Sequence, residues 1–254
     1  MAKHVVIFAC ISLLTGIGCS AATITVDPNG SADYTTIQAA INDANNFDMV
    51  IVADGTYTGV GNRDIDFLGK AITVRSANGP ENCIIDCQDS GRGFYFHNNE
   101  SPDSVLDGLT ITNGDVDDYI SLGGGIRIDS SSPTIKNCVI SDNSADSYLG
   151  VAAGGGISLT ESLSLIDNCI ISNNSVWAFF EEDGQTAGGG IFLGMGDAAT
   201  IRNCVIAGNR SLEGTGGGIE GSIASVITNC IIIGNLSTGW GKHHGPSCCR
   251  YGGV

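Results

Sequence analysis

Acidic and aromatic residues occur together in segments that recur along the chain from Asp115 onward. The aromatic residues that can contact a ligand are Tyr119, Tyr148, Trp177, Phe179, Phe180 and Trp240. The carboxylates beside the first ring are Asp115, Asp117 and Asp118. Exposed rings stack on sugars, and carboxylate oxygens are ligands for Ca²⁺. These residues predict a binding edge for a polysaccharide or another cell-surface component, with no required cofactor and calcium as an optional one.

A purely structural interpretation of the same residues stays open. The rings can instead fold back over the side of the molecule, and the carboxylates can simply solvate it. Acid–base catalysis would need partners within hydrogen-bonding distance of one another. Asp117-Asp118 has no Gln or His at an equivalent position beside it, and Arg127 occupies a solvent-facing strand position one repeat away. The sequence therefore predicts no catalytic residues.

An internal repeat indicates which elements position these segments. A Gly-Gly-Gly-Ile phrase occurs four times and ends at Ile126, Ile157, Ile191 and Ile219. An Asn-Cys phrase follows each one, and the Cys lies 11 to 13 residues after the Ile. Because the spacing between repeats varies more, most of the length variation falls in one segment per repeat. A fixed core with one variable loop predicts a solenoid in which the loops emerge at one corner, side by side.

The cysteine phrases predict inward and corner positions. Strand alternation places Cys138 and Ile140 on one inward face. Stacking at about 4.8 Å per coil then makes a column of the repeated cysteines, which we interpret as buried free thiols. The residues Asn137, Asn168, Asn203 and Asn229 should form a second column at a bend, with left-handed backbone and amide-to-amide hydrogen bonds. The segment from Asp107 to Asn113 is interpreted as the same phrase, with Gly108 in place of Cys.

Charge excludes one class of partner. Acidic residues outnumber basic ones 27 to 11, so the net charge is −16. Nucleic-acid binding needs a basic surface, which such a composition does not provide. Cationic partners or Ca²⁺ suit this chain better.

The two ends of the chain have different predicted roles. Residues 1–22 have a short apolar stretch followed by small residues, as in a secretory signal peptide. Cys19 leaves a bacterial lipoprotein open, although the preceding residues fit a lipobox poorly. No later segment is predicted to cross a membrane, so we expect an extracellular or bacterial cell-surface location.

Residues 241–254 end in Tyr251-Gly252-Gly253-Val254, the start of another glycine phrase, which predicts an irregular tail and a truncated next coil. A disordered tail or a metal-bound cap are the alternatives.

The N-terminal part of the mature chain predicts a lid and less regular coils. Ile24 to Val26 alternates as a strand does, and Thr35 or Thr36 can cap a short amphipathic helix. The apolar face of this helix should cover the open end of the solenoid. Further strands are predicted at Met49–Ala53, Ala71–Arg75, Cys83–Asp86 and Phe94–Phe96, with a turn at Asp54-Gly55.

Two groups of residues resemble a known family. The segments Tyr34 to Ile41 and Val50 to Tyr57 resemble the opening of pectin lyase-like right-handed parallel β-helix proteins, including pectinesterases. The glycine and Asn-Cys-x-Ile-x-x-Asn units are similar to those of bacterial exported β-helix proteins, including the chlamydial polymorphic outer-membrane family. The resemblance covers about Thr23 to Asn235.

The resemblance implies an all-β, right-handed, single-stranded parallel β-helix over residues 23–240 with a short N-terminal capping helix. It is less informative about activity, because one fold carries many functions. We predict an exported module for binding or surface structure. The alternative is a pectin lyase-like polysaccharide lyase, hydrolase or esterase.

Overall fold

A computed structural model describes residues 21–148, 150–178 and 185–238. The described chain winds into a solenoid of parallel strands with one short helix near its N-terminal end. The all-β prediction is confirmed. Within these residues, no helix has the length and apolar character needed to cross a membrane.

Three sheets form the walls of the solenoid. The first sheet has 8 strands: β1 (Thr23–Val26), β2 (Met49–Val52), β5 (Thr73–Ser76), β8 (Val105–Asp107), β13 (Thr134–Lys136), β18 (Leu165–Asp167), β23 (Thr200–Arg202) and β27 (Val226–Thr228). The second sheet has 7 strands: β3 (Gly55–Tyr57), β6 (Cys83–Asp86), β9 (Thr110–Thr112), β14 (Val139–Ser141), β19 (Ile170–Ser172), β24 (Val205–Ala207) and β28 (Ile231–Ile233). The third sheet has 6 strands: β4 (Ile65–Asp66), β7 (Phe94–Phe96), β12 (Ile126–Asp129), β17 (Ile157–Thr160), β22 (Ile191–Leu193) and β26 (Ile219–Gly221).

Two further sheets lie between the second and third sheets in chain order. The fourth sheet has 5 strands: β10 (Asp115–Asp117), β15 (Ser144–Ser147), β20 (Ser175–Ala178), β25 (Arg210–Leu212) and β29 (Leu236–Thr238). The fifth sheet has 3 strands: β11 (Ile120–Leu122), β16 (Val151–Ala153) and β21 (Gln185–Ala187). We call the fourth and fifth sheets together the arm.

The core lies inside the three wall sheets, where alternate residues point inward. Ile140 and Ile171 are fully buried in register with each other, as predicted. The cysteine column is also confirmed: Cys138, Cys169 and Cys204 are buried, and every described cysteine is a free thiol. The Sγ atom of Cys138 lies 3.1 Å from the carbonyl oxygen of Lys136, two residues earlier. The thiols thus behave as small core residues with a weak donor satisfied locally.

The bend between the first and second sheets is made by residues with positive φ. The predicted Asn residues have φ between 51° and 57°, and the Nδ2 of Asn168 donates to the Oδ1 of Asn137 at 2.8 Å. The amide ladder is interrupted at Asn203, which donates to Asp167 instead. The structure aligns the segment from Asp107 to Asn113 differently from the prediction. Gly108, with φ 71°, occupies the position of the bend Asn, and buried Leu109 occupies the position of the Cys. The prediction that Gly108 replaces Cys is therefore wrong by one residue, because the bend requires a residue that tolerates positive φ.

A second, buried amide ladder stands at the next corner, in the Asn that ends each repeat. The Nδ2 atoms of Asn143, Asn174 and Asn209 donate to the Oδ1 of the Asn one coil further on, at 2.9, 3.0 and 2.9 Å. Each amide also donates to a backbone carbonyl; for Asn174 this is Ile140, at 2.9 Å. Buried amides are satisfied in this way at every step, so the ladder fixes the register of neighbouring coils.

The helix α1 (Ile37–Asp43) covers the N-terminal end as predicted. It buries Ile37, Ala40 and Ile41 against β1, β2 and β4. The predicted cap is wrong, because the side chain of Thr36 makes no capping hydrogen bond. The Oδ1 of Asn62 accepts the N–H of Ile37 at 3.0 Å instead. At the other end, the Nζ of Lys70 donates to three carbonyl groups that the helix leaves unpaired, at 2.7 to 2.9 Å.

The strands predicted at Cys83–Asp86 and Phe94–Phe96 are confirmed with the same ends, and the one predicted at Met49–Ala53 ends one residue earlier. The strand expected at Ala71–Arg75 is β5, which begins and ends later, and the turn expected at Asp54-Gly55 leads directly into β3. The side chain of Tyr57 in β3 is buried, and its hydroxyl donates to the carbonyls of Val26 and Ala53 at 3.1 and 3.0 Å. The single hydroxyl proton is shared between two carbonyl oxygens, so the ring is buried without leaving its donor unpaired.

Candidate functional site

The variable segments are strands, which corrects their prediction as loops. In each of three coils the chain leaves the second sheet along a strand of the fourth sheet and returns along a strand of the fifth. A small separate core of Ala145, Ala152, Val176 and Ala178 holds the two layers together. The segments do lie side by side, as predicted, because each strand pairs in register with its equivalent in the next coil.

The glycine phrases form the base of the arm. The first glycine of each phrase has positive φ, such as 67° at Gly123, which gives the chain a sharp corner there. The second glycine is required for a different reason. A Cβ at Gly155 would lie 2.2 Å from the carbonyl oxygen of Ser175 and 2.7 Å from that of Gly189. The outgoing and returning chains therefore approach too closely for any side chain, which makes the arm narrow and rigid at its base.

The described rings of the predicted site gather at the outer part of the arm. Tyr119 and Tyr148 are 63% and 58% exposed. Each ring lies two residues after an aspartate of the paired strands, Asp117 or Asp146. The segment between Asp146 and β16 is two residues longer than that between Asp117 and β11, because Ile120 pairs with Val151. Trp177 pairs with Asp146, is half-buried, and meets the ring of Tyr148 edge to face with centroids 5.6 Å apart. Phe179, Phe180 and Trp240 lie outside the described residues.

The three predicted carboxylates have different surroundings. Asp115 is half-buried and accepts a hydrogen bond from the hydroxyl of Ser144 at 2.9 Å. Asp117 is exposed, and exposed Asp118 accepts the backbone N–H of Tyr119 at 2.7 Å. No group of three or more His, Cys, Asp or Glu side chains within the described ranges is arranged to hold a metal ion. Calcium at Asp115, Asp117 and Asp118 stays a prediction.

Asp146 is the carboxylate that sequence reasoning did not select. Burial, followed by the charges of Asp115 and Asp117, raises the pKa of Asp146 to about 6. Its Oδ1 atom is buried and has no hydrogen-bond partner. The register that places Asp146 beside Asp117 depends on aligning Gly108 with Asn137. The predicted alignment matches Gly108 with Cys138 instead. In that alignment Asp146 lies opposite Val116 rather than Asp117, so the two carboxylates are not recognised as neighbours.

Comparisons with known proteins concern the fold. No curated protein sequence matches this chain. Among solved structures, a pectin methylesterase from carrot is 12% identical with a TM-score of 0.33, covering 86% of this chain and 83% of its own. A pectin methylesterase from Aspergillus niger is 12% identical with a TM-score of 0.31, covering 88% and 87%. Similarity at this level says nothing about activity.

The family comparison is specific and covers most of the chain. The model described as the right handed beta helix region matches residues 22–245. This range contains all three wall sheets and the arm, and the parallel stacking of the described strands agrees with a β-helix. The chain therefore belongs to the right-handed β-helix family.

Proposed function

We propose that this protein is a polysaccharide-binding module, and that the arm carries its binding edge. The observation that carries the proposal is the edge-to-face pair of Tyr148 and Trp177 beside the carboxylates of Asp117 and Asp146. Rings supply apolar faces for stacking on sugars, and carboxylates accept hydrogen bonds from sugar hydroxyls. Asp117, Asp146 and Trp177 stand on strands that pair along the solenoid, and Tyr148 directly follows β15.

The rigidity of the arm supports this use. Ligand binding costs the free energy of ordering the side chains that make contact, and a site on paired strands has already lost most of that freedom. Tyr119 and Tyr148 are exposed, and each follows an aspartate of the paired strands in one of two adjacent coils. Strands that repeat along the solenoid suit a ligand that is itself a repeat.

Replacing Tyr148 by Ala tests the proposal. We expect Tyr148→Ala to weaken retention by a polysaccharide in affinity electrophoresis about tenfold, because one ring contact contributes on the order of 1 kcal/mol or more. Its melting temperature should change little, since the ring is more than half exposed. The panel should include neutral, amino and acidic polysaccharides, each with and without Ca²⁺.

The matched control is Phe47→Ala, which removes a 71% exposed ring between α1 and β2. This variant should bind as the unmodified protein does. Equal weakening in both variants, or full retention in Tyr148→Ala, would exclude the arm as the binding edge. A drop in melting temperature with retention intact would instead assign the ring to packing.

An enzyme is the second candidate, and one observation favours it. A carboxyl group with its pKa raised to about 6 beside a second carboxylate resembles an acid–base pair. Release of reducing ends, unsaturated products or methanol from a polysaccharide, abolished in Asp146→Asn, would support a hydrolase, lyase or esterase. Binding without product formation supports the module.

We also propose that the protein acts outside the cell. The support is the apolar stretch and small residues of positions 1–22, which lie largely outside the described residues. Expression with and without this segment, followed by fractionation, tests it. Retention inside the cell in both cases would contradict export.

A further inference from the structure

A second cluster of charged and aromatic side chains lies outside the arm, on the outer face of the third sheet. Tyr95 in β7 pairs in register with Arg127 in β12, and Arg127 pairs with Ser158 in β17. The hydroxyl of Tyr95 donates to the Oδ2 of Asp129 at 2.9 Å, and the Nη2 of Arg127 contacts the same oxygen at 2.8 Å. These two contacts fix the ring of Tyr95 and the guanidinium of Arg127 against each other.

Two guanidinium groups share the ring of Tyr95. The central guanidinium carbons of Arg92 and Arg127 lie 5.2 and 5.1 Å from its centroid, and the ring of His97 stacks on it at 4.1 Å. The electron-rich face of an aromatic ring attracts cations, so Tyr95 can hold two of them close together. Burial, followed by the charge of Arg127, lowers the pKa of Arg92. The charges of Asp64 and Asp129 act in the opposite direction and favour the charged guanidinium.

Several hydrogen-bond donors of this cluster have no partner. The four ion pairs among the described residues do not include Arg92. The carboxylate of Asp64 accepts the backbone N–H of Arg92 at 3.2 Å. The Nε atoms of Arg92 and Arg127 are both buried without a hydrogen-bond partner, and so is the hydroxyl of fully buried Ser158. Arg127 and Ser158 lie on neighbouring strands, and Arg92 lies two residues before β7. Buried donors are almost always paired in proteins, so these three unpaired donors require an explanation.

We propose that Arg92 and Arg127, held over Tyr95 on the third sheet, bind an oxyanion. A guanidinium presents a planar fork of N–H groups that matches the oxygens of a carboxylate or a sulfate. The chain as a whole carries a net charge of −16, and Asp129 already pairs with Arg127. Arg92, which none of the described ion pairs includes, is therefore the cation that attracts an anion here. The oxyanion is either a free ion or an acidic group on a saccharide. The proposal does not depend on the arm.

Calorimetric titration of the whole protein, at constant ionic strength set with chloride, tests this site. The probes are sodium sulfate, sodium acetate and methyl glucuronide, with methyl glucoside as the neutral control. Saturable binding of sulfate or acetate indicates a site for a free ion, whereas binding of methyl glucuronide alone indicates an acidic sugar. Binding of methyl glucoside as strong as that of methyl glucuronide, or no saturable binding of any anion, would overturn the proposal.

Variants assign the binding to these two side chains. Arg92→Gln and Arg127→Gln should each lower the affinity about tenfold or more, because each removes a charge-assisted hydrogen-bond donor. Arg75→Gln is the matched control, since Arg75 is also half-buried and takes part in none of the described ion pairs. It should bind as the unmodified protein does. Equal affinity of all three variants would show that the anion binds elsewhere.

A further variant covers the case in which Arg92→Gln does not fold. Arg92→Lys keeps the charge and loses the planar fork, so its affinity should lie between those of the unmodified protein and Arg127→Gln. Melting temperature provides a second measurement. Sulfate raises the melting temperature of any variant, because it is excluded from the protein surface. The informative quantity is therefore how much more sulfate raises the melting temperature of the unmodified protein than that of Arg92→Lys. No additional rise would contradict the site.

Discussion

The carboxyl group of Asp146 lies beside those of Asp115 and Asp117 from the preceding coil, on a partly buried face. Three carboxylates at such spacing cannot all ionise without cost. A proton on Asp146 relieves the repulsion, and the paired strands prevent the side chains from moving apart. The charge state of this single group therefore sets the electrostatics of the arm.

The stability of the protein should fall as Asp146 loses its proton. The pKa of Asp146 is raised from 3.8 to about 6 in the folded state. The protonated carboxyl group therefore contributes its full stability below pH 3.8, and this contribution is lost as the pH rises through about 6. We expect Asp146→Asn to raise the melting temperature at about pH 8 and to leave it almost unchanged at about pH 4. Thermal melts at both values measure this.

Asp197, whose pKa burial also raises to about 6, provides the comparison. Because Asp197 remains in the Asp146→Asn variant, part of the pH dependence should persist. An equal change of melting temperature at both pH values would contradict the proposed protonation. A lower melting temperature at high pH would show that the carboxylate of Asp146 has a favourable partner.

Sequence alone could not identify Asp146, although it identified its neighbours. Asp115, Asp117 and Tyr119 stand out by residue type, but the role of Asp146 comes from its register with Asp117. That register follows from Gly108 at the bend, and Gly and Asn are interchangeable where positive φ is required. Residue identity favoured matching small Gly108 to small Cys, whereas the backbone matches Gly108 to Asn137.

At the scale of elements, the arm strands are difficult to predict because their side chains are small. β15 and β16 consist of Ser, Ala, Asp and Val, and they lack the alternating large apolar residues that mark a strand. Their layers can pack closely because the core between them is built mainly from alanine. The wall strands were predicted well, since the core inside the solenoid demands Ile, Leu and Cys at alternate positions.

The glycine phrase gives a prediction at this scale. Gly155→Ala places a Cβ 2.2 Å from the carbonyl oxygen of Ser175, so the base of the arm must open. We expect a loss of several kcal/mol in the free energy of unfolding, measured with urea, as for other overpacked sites. Gly59→Ala is the control. Its φ is 74° but nothing lies within 4 Å of the added methyl group, so the loss there should be about 1 kcal/mol.

A smaller loss for Gly155→Ala than for Gly59→Ala would mean that backbone conformation outweighs crowding at the arm. It would also contradict the close approach of the outgoing and returning chains. Circular dichroism of both variants should keep the β-sheet spectrum of the unmodified protein at low urea concentration.

At the scale of the whole molecule, each coil contacts only its neighbours, so damage to one coil should spread to those beside it. Ile140→Asp places an unpaired charge inside the solenoid at a fully buried position. We expect this variant to lose β-sheet circular dichroism and to melt at a much lower temperature. Ile140→Val, which keeps an apolar side chain, should lower the free energy of unfolding by only about 1 kcal/mol. A full spectrum and an unchanged melting temperature in Ile140→Asp would show that Ile140 does not point into the core.

The cysteine column turns the solenoid into a molecule with built-in reporters of local opening. Cys138, Cys169 and Cys204 are buried at successive coils, whereas Cys230, in the last described coil, is partly accessible. A thiol reagent meets a free sulfur atom only where a coil has opened, so the rate at which each thiol is labelled reports the opening of its own coil. The order of labelling along the column would distinguish fraying from the C-terminal side from opening in the middle. One residue type, repeated once per coil, thus records the cooperativity of the entire stack.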